Sequence, residues 1–253
     1  MIRNEIELFL TAIMFFTRIP IPEIEFSEER LNSSSKYFTL VGILIGILIS
    51  LIFMLSVNIL SKPIAILITM VSSILLTGAF HEDGFADFCD GFGGGYTKDR
   101  ILEIMKDSRL GTYGTIGIFF ILLLKFFLLM EFELNLIPAI LIIGNSFSRL
   151  ISMSVVMILN YVSENGKSKP IATKMQKGEF IFLAFFGIFP FVFFKSLFII
   201  IAIIPQIGLV FYFQYFLKKK IGGYTGDCLG ALQQISEISI YVSLLGLLKW
   251  KFI

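Results

Sequence analysis

The chain has 253 residues, of which 56% are hydrophobic and 16% charged, with a formal net charge of +2. Its mean hydropathy is +0.87. A soluble domain carries about 45–50% apolar and about 25% charged residues. The figures therefore exclude a soluble globule, a disordered chain, a disulfide scaffold and a basic nucleic-acid binder.

Taken in chain order, residues 8–16 are apolar, too short to span a bilayer, and preceded by Glu5 and Glu7. They predict a helix lying in the membrane interface. No small-residue cleavage site follows, so a removable signal peptide is not expected. A spanning helix needs about 20 apolar residues, because the hydrocarbon core is about 30 Å thick. Residues 37–60 and 63–80 contain no charge, 110–130 only Lys125, and 134–163 only Arg149. Residues 180–194 and 196–217 are uncharged and flank Lys195. Residues 228–248 form a weaker candidate, since Gln233, Gln234 and Glu237 fall in the first half. The predicted fold is all-α: a polytopic integral membrane helical bundle of about seven transmembrane helices plus the N-terminal interfacial helix, making one catalytic domain over residues 1–253.

With seven spans and the N-terminus inside, 15 of the 21 basic residues fall on the cytoplasmic side. Basic flanks resist translocation, so this bias sets the orientation. The loops 81–109, 164–178 and 218–227 are then cytoplasmic, and any chemistry is expected there. Lys125 is expected to snorkel to an interface. Cys89 and Cys228 lack CxxC spacing and read as small apolar residues at a reducing face.

Asp83, Asp87 and Asp90 stand at i, i+4 and i+7, directly after an uncharged span. If that span continues as a helix, all three carboxylates share one face. Stacked like charges repel, and a divalent cation relieves this; Mg²⁺ takes carboxylate oxygens and keeps sites for substrate phosphates. A solvated acidic helix end is the plainer alternative. His81, the only histidine, is as consistent with a hydrogen-bonded helix end as with ligand binding. Around Asp227 the chain reads Gly222-Gly223-Tyr224-Thr225-Gly226-Asp227. Gly223, Thr225 and Gly226 could form a phosphate cradle at a helix N-terminus, or only a tight turn. Lys106 and Arg109, three apart, would share a helix face and could bind phosphate. Arg149, deep in a span beside Asn145, Ser146 and Ser148, needs a partner: an acid of the cluster or a substrate phosphate. No P-loop, GxGxxG, HExxH or GxSxG pattern occurs.

The run His81-x-Asp83-Gly84-x-Ala86-Asp87-x-x-Asp90-Gly91 resembles the signature of the cobalamin synthase (adenosylcobinamide-GDP ribazoletransferase) family. So do residues 102–112 and 222–231, the opening Phe16-Thr17-Arg18-Ile19-Pro20-Ile21-Pro22, and Ser148-Arg149. The matches run in the same order along the whole chain; Phe85 stands where the family usually has Leu. The resemblance implies a membrane enzyme that joins α-ribazole, or its 5′-phosphate, to adenosylcobinamide-GDP, with Mg²⁺ required and GMP released. It implies that Asp83, Asp87, Asp90 and Asp227 hold metal and pyrophosphate. One of them could instead be a general base toward an attacking 5′-hydroxyl. Lys106, Arg109 and Arg149 are the candidates for phosphate contacts. The expected setting is the cell inner or plasma membrane, with the active site cytoplasmic. The expected partners are the two substrates and the lipid bilayer, with no nucleic acid; other cobalamin-pathway enzymes or a second copy of the chain are left open. A CDP-alcohol-type phosphotransferase fits less well, since Ala86 is followed by Asp87 rather than Arg. A transporter fits less well still, since the polar residues gather on one face.

Overall fold

The computed structural model describes residues 2–25, 27–162, 175–194 and 197–250. Lys167, Lys169, Lys174, Lys195 and Lys251, counted above for orientation, lie outside the described residues. No β-strand occurs among the described residues. Eleven α-helices do: α1 (Ile2–Phe16), α2 (Glu28–Ser34), α3 (Phe38–Val57), α4 (Lys62–Thr77), α5 (Phe80–Gly94), α6 (Lys98–Met105), α7 (Thr112–Glu131), α8 (Ile137–Ser154), α9 (Lys177–Ile188), α10 (Ile204–Lys220) and α11 (Gly226–Lys249).

The five longest apolar stretches are Glu28–Val57, Thr112–Glu131, Ile137–Met157, Ile199–Lys220 and Gly226–Lys249. Each is long and apolar enough to cross a bilayer. The bent pair α4 and α5 passes the same test only when taken together, as a broken span or a re-entrant loop. The chain is thus an all-α, polytopic membrane bundle. Phe119, Phe120 and Phe127 on α7 and Phe211 on α10 are exposed, as residues facing lipid tails are. Over 180–194 the structure differs from the expected single span. α9 ends at Ile188 and passes into a 3-10 turn, Phe189–Phe193. Pro190 explains the change, since it lacks an N–H and its ring blocks the preceding turn.

α1 follows the interfacial expectation in length: its 15 residues reach about 22 Å. Leu8, Ala12, Ile13 and Phe16 are buried, and Glu5 and Glu7 pair with Lys36 and Arg30 at 2.7 and 3.2 Å. The Lys36 ammonium holds the Glu5 carboxyl below its ordinary range.

α8 runs through the middle, buried almost throughout from Ile140 to Met153. α3 lies along it at Gly42 and Gly46. A Cβ there would come within 2.5 Å of the Asn145 carbonyl oxygen and 2.6 Å of Ile142 Cα. These small residues therefore pack helices within one chain. Side-chain hydroxyls fasten the rest: Thr39 and Ser146 donate to the Leu183 and Phe186 carbonyls of α9, and Ser152 donates to Leu229 of α11.

The span predicted over 63–80 does not continue as one helix into the acids. α4 closes at Gly78 and Ala79, both left-handed, with φ of 65° and 58°. The Ala79 N–H donates back to the Ile74 carbonyl (2.9 Å), so the last turn is capped by the chain's own reversal. Gly78 also leaves room for Arg18, whose guanidinium a Cβ would strike. The axis then turns by 87° and a new helix begins at Phe80. A left-handed alanine costs about 1–2 kcal/mol. It stands at the bend between α4 and α5.

Candidate active site

α5 crosses the beginning of α11, and two glycines set how closely. A Cβ on Gly84 would lie 3.0 Å from Asp227 Cα; one on Gly230 would lie 3.2 Å from the His81 carbonyl oxygen. The crossing brings Asp83, from the first turn of α5, and Asp227, from the first turn of α11, onto the wall of one cavity of about 300 Å³. Thr225 caps α11, its Oγ1 accepting from the Cys228 N–H at 3.3 Å. His81 and an aromatic set (Phe15, Phe16, Phe38, Phe80, Tyr161 and Tyr224) complete most of the lining.

The acids are not equivalent, although all three on α5 share the predicted helix. Asp83 is exposed into the cavity, Asp87 half-buried, and Asp90 buried. Asp87 lies within the fields of Asp227, Asp83 and Asp90. Asp90 is engaged elsewhere. Its two oxygens accept from the Gly111 and Gly114 N–H groups at 2.7 and 2.8 Å, capping α7. A Cβ on either glycine would strike the carboxylate. Each Asp90 oxygen thus already accepts one N–H at the start of α7. Among the described residues no three His, Cys, Asp or Glu side chains are grouped closely enough to enclose a metal ion by themselves. Asp83 and Asp227 with Asp87 nearby remain an all-oxygen donor set beside open space. That suits Mg²⁺, which is commonly held by one or two carboxylates plus phosphate oxygens.

The cations predicted for phosphate are placed differently from expectation. α6 ends at Met105, so Lys106 and Arg109 lie in the loop before α7 and share no helix face. Arg109 grips Asp107 through Nε and Nη2, the latter at 2.6 Å, and this holds the Asp107 carboxyl at about 2. Arg149 is fully buried and pairs with no acid of the cluster. Its Nη1 donates to the Asn145 carbonyl and side-chain oxygens at 2.7 and 3.0 Å. Its guanidinium lies over the Phe38 ring at 5.3 Å, and its Nε has no partner.

In the glycine-rich turn, Gly222 takes φ of 81°. Gly223 lies against the Asn160 carbonyl oxygen, closer than a Cβ allows. The neighbouring backbone is paired: Val162 N–H donates to the Tyr224 carbonyl (2.8 Å) and Tyr224 N–H to the Asn160 carbonyl (3.1 Å). Gly223 and Thr225 therefore build the turn and the cap. Gly226 lines the cavity and has open space where its Cβ would be.

Sequence reasoning missed a buried polar seam behind the cavity. Lys125 does not snorkel; it pairs with Glu237 at 2.7 Å, both nearly inaccessible. Tyr241 Oη donates to Glu237 (2.8 Å), Gln233 Nε2 donates to Ser148 Oγ (2.8 Å), and Gln234 Nε2 donates to Glu82 (3.2 Å). The signal was present: single charges within two different spans need one another. The aromatic walls carried no signal, because the chain has 29 Phe spread along it.

A family model described as cobalamin-5-phosphate synthase matches residues 8–245. The adenosylcobinamide-GDP ribazoletransferase of Vibrio cholerae serotype O1 is 42% identical over 252 residues, covering 98% of this chain and 97% of that protein. The enzyme of the same name from Shewanella putrefaciens is 44% identical over 248 residues, covering 96% and 95%. No solved structure matches.

Proposed function

The chain belongs to the cobalamin-5-phosphate synthase family, and we propose that it joins α-ribazole, or its 5′-phosphate, to adenosylcobinamide-GDP at the cavity between α5 and α11. The observation that carries this reading is the Gly84–Asp227 crossing, which sets two carboxylates from distant parts of the chain on one wall. None of the relatives named above is a CDP-alcohol enzyme or a transporter.

A ribose hydroxyl attacks the phosphorus that carries the cobinamide. A new P–O bond forms, the pyrophosphate P–O bond breaks, and GMP leaves. The 5′-hydroxyl does not fit as the attacking oxygen. A product described by its 5-phosphate still has that position occupied, so another ribose hydroxyl must attack. Such a transfer depends on alignment and charge neutralisation more than on covalent catalysis. Asp83, Asp87 and Asp227 are the residues that would hold Mg²⁺, which when bound supplies positive charge to the pyrophosphate. Asp83 or Asp227 is the proton acceptor for the attacking hydroxyl, since both open onto the cavity. Lys106 and Arg109 meet the outer phosphate and guanosine from the loop before α7. Asp90 fixes the start of α7 and so the position of that loop. The cavity opens on the cytoplasmic face of the inner membrane; the basic residues at that end of the bundle support this.

The test is product analysis. Purified protein in liposomes, given adenosylcobinamide-GDP, α-ribazole and Mg²⁺, forms a cobamide and one GMP per turnover, and forms neither after Mg²⁺ is chelated. Absence of a cobamide under these conditions contradicts the proposal.

A further inference from the structure

Much of the cavity lining is aromatic, and the transfer itself makes no use of that. Phe16 and Phe38 stack at 4.1 Å, and Phe80 meets Phe16 edge-on at 6.0 Å. His81 lies against Phe38 and Phe80 at 5.6 and 5.3 Å, buried, with Nε2 lacking a hydrogen-bond partner. Resting on the function proposed above, we infer that the aromatic part of the cavity lining is the acceptor subsite: it takes the aromatic base of the ribazole against Phe16, Phe38 and Phe80.

Two observations favour this occupant. The first is size. A volume of about 300 Å³ lies at the small end of ligand pockets, about 300–1,000 Å³. It suits an aromatic base with part of its ribose. The second is polarity. The lining combines aromatic side chains with Asp83 and Asp227, matching an apolar base joined to a hydroxyl-bearing sugar. An anionic lipid headgroup would meet two carboxylates.

Base-on-aromatic contact tolerates change in the base's edge but not loss of the ring. Phe80 is the wall residue to remove, because it is 38% exposed and its loss leaves little void inside the bundle. The experiment is steady-state kinetics in liposomes, varying each substrate against saturating amounts of the other. Phe80→Ala raises KM for α-ribazole, and for its 5′-phosphate, about tenfold; KM for adenosylcobinamide-GDP stays within about twofold. Phe16→Leu, which keeps an apolar side chain but removes the ring, gives the same pattern should Phe80→Ala fail to fold. An unchanged KM for α-ribazole, or an equal or larger rise for adenosylcobinamide-GDP, overturns the subsite. Failure of the unaltered protein to make any cobamide is a different result, and it overturns the function instead.

Discussion

Asp227 and Glu237 stand ten residues apart on α11, about 15 Å along one helix, and they are treated in opposite ways. Glu237 is fully buried and neutralised: Lys125 pairs with it, Tyr241 and Gln233 donate to it. Asp227 lies on a cavity wall with Asp83, and its near neighbours are other acids. A buried charge with every bond satisfied is a structural solution. Carboxylates gathered at an open cavity, with no cation among the described residues of its lining, call for a ligand to supply the positive charge. The same helix thus carries a finished electrostatic site and an unfinished one, and the second is where the proposed chemistry would take place.

The largest effect separates the two regions by stability. Lys125→Met leaves Glu237 buried without its cation and costs about 3–5 kcal/mol, read as a lowered unfolding temperature in detergent. The double variant Lys125→Met/Glu237→Gln recovers most of it. If the single variant is as stable as the parent, the seam is not a closed ion pair. Next, Asp83→Asn and Asp227→Asn each lower turnover about a hundredfold or more, while folded protein in the membrane is unchanged. Smaller is Asp90→Ala. It removes the cap of α7 at about 1–2 kcal/mol, with turnover down less than tenfold. A loss as deep as that of Asp83→Asn would return Asp90 to the catalytic set. Gly84→Ala forces α5 from α11 at the closest point of the crossing, at about 1–3 kcal/mol, and lowers turnover more than it lowers stability. The smallest effect is Arg109→Ala. Its partner Asp107 already competes for it at the surface, so KM for adenosylcobinamide-GDP rises only about threefold.

Much of this was readable before the fold was known. Uncharged runs marked the membrane helices, since only long apolar stretches cross lipid. The 4 + 3 spacing placed Asp83, Asp87 and Asp90 on one helix. What could not be read was direction. Ala79 is an ordinary helix former by composition, yet it takes a left-handed conformation beside Gly78, and that pair turns the helix carrying the acids by 87° from α4. The division of labour among the acids was hidden for the same reason. Asp90 caps α7 because Gly111 and Gly114, more than twenty residues on, have no side chains to keep it away. The Lys125–Glu237 pair shows a different limit: each partner was seen, as an exception to its own span, but pairing is a property of two helices together.

The most direct test is to measure GMP release side by side from Asp227→Asn and from Lys125→Met/Glu237→Gln, each reconstituted at equal amounts of folded protein with both substrates and Mg²⁺. The account predicts at least about a hundredfold loss for Asp227→Asn, and turnover within about tenfold of the parent for the double variant. Near-parent turnover from Asp227→Asn, or a deeper loss from the double variant, would contradict the assignment of the chemistry to the unpaired acids at the α5–α11 crossing.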